Sequence, residues 1–117
     1  MMRPSAEVTV YLCVAPVDGR KQAASLALLV EQSLGHNVFE PALYIFSNRR
    51  RDRVRILYWE RNGLCLWSKR LEQQQFIWPR AVSGDTVMIN GRTLNALLDG
   101  FDVWSQGHRE LSIRRVG

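Results

Sequence analysis

A chain of 117 residues, 46% hydrophobic and 23% charged, has the size and composition of one folded domain, which excludes wholesale disorder and a large multidomain enzyme. Its net charge of +5 is uneven: residues 1–48 carry net −1, residues 49–70 net +6 and residues 71–117 zero, so the excess sits in one segment and points to an anionic partner. No apolar run approaches the ~20 residues of a membrane helix, and Met1 to Glu7 lacks a secretory core, so the expected compartment is the cytoplasm, with no membrane partner.

Val8 to Val14 is β-branched and apolar and predicts a strand stopped by Pro16. Asp18 as N-cap and Gly35 as C-cap bound a predicted helix over 19–34, with Ala23, Leu26, Ala27, Val30 and Leu34 at core-facing spacing. Pro41 precedes a short strand over 42–46. Asn48 to Asp52 forms a loop whose three arginines, Arg49, Arg50 and Arg51, are expected in water.

Two strand-like runs follow, Val54 to Trp59 and Leu64 to Leu71, joined through Asn62-Gly63, the preferred pair for a type I′ hairpin turn. A turn centred there sets Trp59 opposite Leu66, Leu57 opposite Ser68 and Arg55 opposite Arg70. One face carries Val54, Ile56, Tyr58, Cys65, Trp67 and Leu71, with Lys69 as the exception, and reads as core. The other carries Arg53, Arg55, Leu57, Trp59, Leu66, Ser68 and Arg70, and reads as a basic surface with apolar patches. Phe76 to Pro79 predicts a fourth strand or its edge, Val87 to Ile89 a short apolar segment, and 92–99 a short helix ended by Gly100. The expected fold is α+β: a curved antiparallel sheet of four to six strands, the main helix on one face and a short C-terminal helix. A single domain spans 1–103 and a tail spans 104–117.

Little here speaks for catalysis. There is no phosphate-binding glycine loop, nucleophile elbow or paired-histidine metal motif. Cys13, Cys65, His36 and His108 make no zinc spacing, and both thiols read as buried and free. Asp18, Asp52, Glu60, Asp99 and Asp102 could in principle serve a two-metal nuclease, but each has a local use as cap, counter-charge or turn residue. No catalytic residue, cofactor or metal is therefore assigned. The arginines admit two readings: like charges on one hairpin face either splay apart beside Asp52, Glu60 and Glu72, or meet phosphates with Trp59 beside them. Arg20 and Lys21, at the predicted helix start, form a possible second anion site.

The ordered motifs carry a resemblance. Val10-Tyr11-Leu12, Val17-Asp18-Gly19-Arg20-Lys21, Leu43 to Arg50, Asp52 to Trp67, Lys69 to Glu72, Phe76-Ile77-Trp78-Pro79 and the closing Leu94, Leu97-Leu98 and Gly100-Phe101-Asp102 resemble the TnpB-type accessory protein of the insertion-sequence-sixty-six family of bacterial transposable elements. The likeness spans roughly residues 5 to 102. Gly19 stands where the family usually has a bulky residue, residues 80–93 fit poorly, and the tail beyond 103 does not match. The resemblance implies a small non-catalytic helper acting beside a separate transposase. The expected partners are then the DNA of the element ends, met through Arg49, Arg50, Arg51, Arg53, Arg55, Arg70 and Trp59, and the transposase. The alternative is a subunit that docks on the transposase through Leu57, Trp59 and Leu66 without touching DNA.

Overall fold

The computed structural model describes residues 3–79 and 86–105 together with the backbone of 114–116. His108 and most of the expected tail lie outside them. The elements are β1 (Thr9–Cys13), α1 (Ala23–Gln32), β2 (Ala42–Ser47), β3 (Arg53–Glu60), β4 (Gly63–Arg70), β5 (Thr86–Asn90), α2 (Gly91–Leu98) and β6 (Arg114–Val116). One six-stranded sheet runs in the order β4-β3-β2-β1-β5-β6.

The sheet is mixed, not antiparallel as expected. β1 and β2 are parallel, and every other pair is antiparallel. Between β1 and β2 the chain crosses over through α1, and a crossover returns a strand in the same direction. Leu26 and Val30 of α1 are buried against Cys13, Tyr44, Phe46 and Leu57, with Ala23, Ala27 and Leu34 packed at the edge, as their helical spacing predicts. The opposite sheet face buries Val10, Leu12, Ile45, Val54, Ile56 and Val87 against Leu94, Leu97 and Leu98 of α2. All six residues of β2 are buried in consequence.

The ends of α1 differ from expectation. Its N-cap is Gln22, with no side-chain cap, because the Asp18 carboxylate accepts from the backbone and side chain of Arg20 instead. The C-cap is Ser33, not Gly35: Ser33 N donates to Leu29 O, and Gly35 at φ +71° lies two residues further on, where the chain turns away with His36 N bonded to Val30 O. α2 matches its predicted span within a residue. The Asn90 side chain accepts from Thr93 N, and Gly100 at φ +93° follows the helix. Residues 76–79 are not a strand, yet Phe76 and Trp78 are core residues, and the Trp78 indole donates to Cys13 O at 3.1 Å. Beyond residue 103, Trp104 donates to Ile77 O, and Arg114–Val116 pairs with β5.

The hairpin turn lies one residue earlier than predicted. The loop is Arg61-Asn62, the positive φ (54°) belongs to Arg61, and Gly63 already pairs with Glu60. Every cross-strand pair therefore slides by two: Trp59 faces Leu64, Arg55 faces Ser68, and Arg53, not Arg55, faces Arg70. A slip of two leaves each side chain on its predicted face, since the strand period is two.

Two glycines separate these effects. A Cβ at Gly63 meets nothing within 4 Å and needs no unusual φ, so Gly63→Val is expected to change stability by less than about 0.5 kcal/mol. A Cβ at Gly91 overlaps the Ser5 carbonyl, so Gly91→Ala is expected to cost about 1–3 kcal/mol. Urea denaturation of the two variants checks both, and equal midpoints would contradict the account.

Candidate nucleic-acid interface

The hairpin face read as an open basic surface is largely covered, because α1 lies over it. Leu57 is fully buried and Arg55 is only 8% exposed. Arg55 reaches out from beneath the helix: its Nη1 donates to Gly19 O at 3.0 Å. Arg53 Nη1 donates to the same carbonyl at 3.2 Å, and its Nε donates to Ser68 Oγ. Burial, and then the like charge of Arg53, hold the Arg55 guanidinium below the usual arginine range. Arg55 Nε has no hydrogen-bond partner among the described residues. These are the properties of a tether, and Arg55 is not available to a phosphate.

Arg51 is also structural, contrary to its placement in water. It adopts φ +59°, donates from Nη2 to Val14 O at 3.0 Å, and lies over the Trp78 ring with Cζ 5.3 Å from the centroid. Its carbonyl accepts from Phe76 N. Burial lowers its pKa as well. Lys69, the exception on the core face, donates from Nζ to Leu98 O at 2.8 Å, placing a cation at the C-terminal end of α2.

The remaining cations converge. Val17 N donates to Ser47 O, and Arg53 bonds Gly19, so the 16–22 loop lies against the loop that follows β2. Asn48 orders that loop by donating to Asp52 and accepting from Arg53 N. Between the two loops lies a groove of about 390 Å³ lined by Pro16, Val17, Asp18, Gly19, Asn48, Arg49 and Arg50. Arg49 and Arg50 are exposed here, as are Arg20 and Lys21 across the groove. Arg70 is exposed next to Arg53, and together with Arg50 it helps keep the Asp52 carboxyl below its usual range, the Asn48 hydrogen bond being the larger cause. The two separate sequence candidates, the arginine hairpin and the Arg20-Lys21 turn, thus share one surface. Asp18 lies within it, but Arg20 pairs with it at 3.0 Å and pushes its pKa down to about 2.

Trp59 does not belong to this surface. It lies six residues along β3 from Arg53, about 20 Å away at the usual strand rise. There its indole donates to Arg61 O, and Phe39, 56% exposed, meets it edge-on with ring centroids 4.7 Å apart. Sequence reasoning missed Phe39, Asn48 and the Gly19 carbonyl. Leucines at 57 and 66 among the arginines were the available sign that this face is partly core.

Among the described residues no group of three or more His, Cys, Asp or Glu could hold a metal ion. The candidate acids are dispersed: Asp99 pairs with Arg3, Asp102 accepts from Trp104 N, and Asp18 and Asp52 serve the two loops. Among them, too, no helix is long and apolar enough to cross a membrane.

Residues 8–108 match the family described as "IS66 Orf2 like protein". The chain belongs to that family, the accessory proteins of this class of insertion sequence. The match runs through residues 80–93, where the resemblance was weak, and extends past residue 102. Two proteins of Sinorhizobium fredii are similar over nearly their whole length. "Uncharacterized protein y4hO" is 33% identical across 99% of this chain and 100% of its own. "Uncharacterized protein y4jC" is 29% identical across 94% and 92%. No solved structure matches.

The tether and the exposed rim respond differently to mutation. Arg55→Ala is expected to destabilise the fold by about 1–3 kcal/mol, through a cavity under α1 and loss of the Gly19 tether, while Arg70→Ala stays within about 0.5 kcal/mol. Chemical denaturation checks this, and equal effects would show that Arg55 holds nothing. A second expectation concerns Asp18. Its depressed pKa means that the pairing with Arg20 is present above the ordinary carboxylate pKa of 3.8 and is lost as pH falls toward about 2. In Arg20→Ala the Asp18 carboxyl, followed by NMR titration, is expected to move up toward 3.8, and an unmoved midpoint would remove Arg20 as the cause.

Proposed function

We propose that this protein is a non-catalytic accessory factor of transposition that binds DNA through its basic groove. The carrying observation is the convergence of Arg49, Arg50, Arg53 and Arg70 with Lys21 and Arg20 around two loops about thirty residues apart in the sequence. Arg49, Arg50, Arg70 and Lys21 are the phosphate contacts, since they are exposed and no side-chain hydrogen bond or close ion pair holds them among the described residues. Arg53 reaches the same surface at its margin. Arg55 holds the Gly19 side of the groove from beneath, while Arg51 is turned toward Val14 and Trp78. A rim of long cations without an ordered base-reading helix or ribbon reads backbone charge, so it binds any sequence with similar strength.

A second reading is favoured by one observation at the other end of the hairpin. Exposed Phe39 with half-buried Trp59 offers an aromatic anchor for the transposase, and of the three anchors considered from sequence only Leu57 is fully buried. The two readings use different surfaces and are compatible.

The test is salt dependence. Parent protein and an Arg49→Ala/Arg50→Ala/Arg70→Ala variant are titrated onto duplex DNA at several salt concentrations. The slope of log affinity against log salt is expected to fall by about one per arginine removed, with affinity lost on every sequence. Arg55 stays intact, so the fold is retained. A variant that binds as tightly as the parent at low salt would move DNA off this groove. Loss of transposase co-purification on Trp59→Ala, with the DNA slope unchanged, would support the second surface.

A further inference from the structure

We infer that Gly19 is where a DNA phosphate reaches the floor of the basic groove, received by a backbone N–H that a side chain at this position would shield. This contact rests on the DNA reading of the groove and names one phosphate position within it. Gly19 is half-buried and lines the groove on the wall that faces Asn48, Arg49 and Arg50.

The fold does not demand a glycine here. Among the described glycines, Gly35 and Gly100 take positive φ, and Gly91 has the Ser5 carbonyl against it. Gly19 has neither constraint: a Cβ there would stand 3.7 Å from Arg53 Nη1 and 3.9 Å from Asn48 Cβ, ordinary contact distances. Asn48 lines the opposite wall, so a side chain at position 19 grows into the space between the two loops. Gly63 is equally unconstrained, but a Cβ there meets open space. A glycine that the fold does not need, set in a concave basic surface, leaves the backbone open to close approach by a ligand.

The local backbone prepares that donor. Gly19 N has no hydrogen-bond partner among the described residues. The Asp18 carbonyl of the same peptide unit accepts from Lys21 N at 3.1 Å, which polarises the unit and strengthens its N–H as a donor. The position is also fixed from both sides, by Val17 N on Ser47 O and by the two guanidinium groups on Gly19 O, so little ordering is left for a ligand to bring about. An N–H on a phosphate oxygen is a charge-assisted bond, and the exposed Arg49, Arg50 and Lys21 supply the surrounding positive charge. The Asp18 carboxylate, which alone would repel a phosphate, is occupied by Arg20 through its N, Nε and Nη2.

Two substitutions and one direct observation test this on the full chain. Gly19→Val, whose two branches cannot both turn away from the groove, is expected to weaken duplex DNA binding about tenfold, the worth of one charge-assisted hydrogen bond. Gly19→Ala, whose Cβ fits, is expected to keep the parent's urea midpoint or raise it slightly and to bind DNA with an affinity between parent and valine variant. Both keep the parent's salt slope, because no cation has been removed. In the parent, the Gly19 amide proton followed by NMR is expected to move downfield as a short duplex is added, while that of Gly63, at the turn end of the hairpin, stays in place. If Gly19→Val does not fold, the alanine variant and the amide shift decide. A parent that binds duplex while the folded variants bind equally tightly, or whose Gly19 amide does not move, overturns this contact and leaves the arginine rim standing. A parent that binds no duplex even at low salt overturns the DNA reading and this contact with it.

Discussion

One backbone carbonyl organises the surface of this protein. Gly19 O accepts from both Arg53 and Arg55, although two guanidinium groups repel when brought so close. The arrangement persists because Arg55 enters from beneath α1, where packing against the helix fixes its stem, and Arg53 enters from the rim. Two charge-assisted hydrogen bonds on one acceptor outweigh the repulsion that remains at partial solvent exposure. Together with the Val17 N to Ser47 O bond, this holds the 16–22 loop against the loop after β2, and the groove lies between them.

That contact depends in turn on α1 covering the sheet. The crossover between the parallel strands β1 and β2 forces the helix onto one face, and that face includes the arginine side of β3. The helix buries Leu57 and Arg55 while leaving the rim residues in water. A hairpin face that alternates arginine with leucine is therefore divided by depth into an inner half that packs and an outer half that carries charge. Arg51 and Lys69 extend the same economy: each sits where a carbonyl needs a donor, Arg51 at Val14 and Lys69 at the end of α2. A substantial part of the basic segment thus serves the fold, and the net charge of that segment overstates what is offered to a ligand.

The register shift shows what kind of error local reasoning makes. Asn62-Gly63 is a strong turn signal, yet the turn forms at Arg61-Asn62, with Arg61 in the left-handed region. Pairing along eight residues of β3 and β4, with β3 also bonded to β2, outweighs the turn preference of a single dipeptide. Because the slip is even, the faces survive and the pairs do not. Ser68, rather than Arg70, sits opposite Arg55, and it accepts from the neighbouring Arg53.

Periodicity along the chain was enough for the spans of β1, β2, β3 and β4, the core stripe of α1, the capped α2 and the face on which each hairpin residue lies. All of these follow from period and capping chemistry within a few residues, and such forces act before any long-range contact forms. The position of the basic segment, and the ordered motifs that resemble the family, were legible for the same reason. Tertiary structure alone decided that β1 and β2 run parallel, that Phe76 and Trp78 enter the core without a strand, and which arginines remain at the surface. Those outcomes depend on what lies above each side chain, and a helix some twenty to thirty residues away in sequence can bury one arginine and spare its neighbour. Burial is a property of the whole packed chain, and the hairpin's own residues carry only half of it.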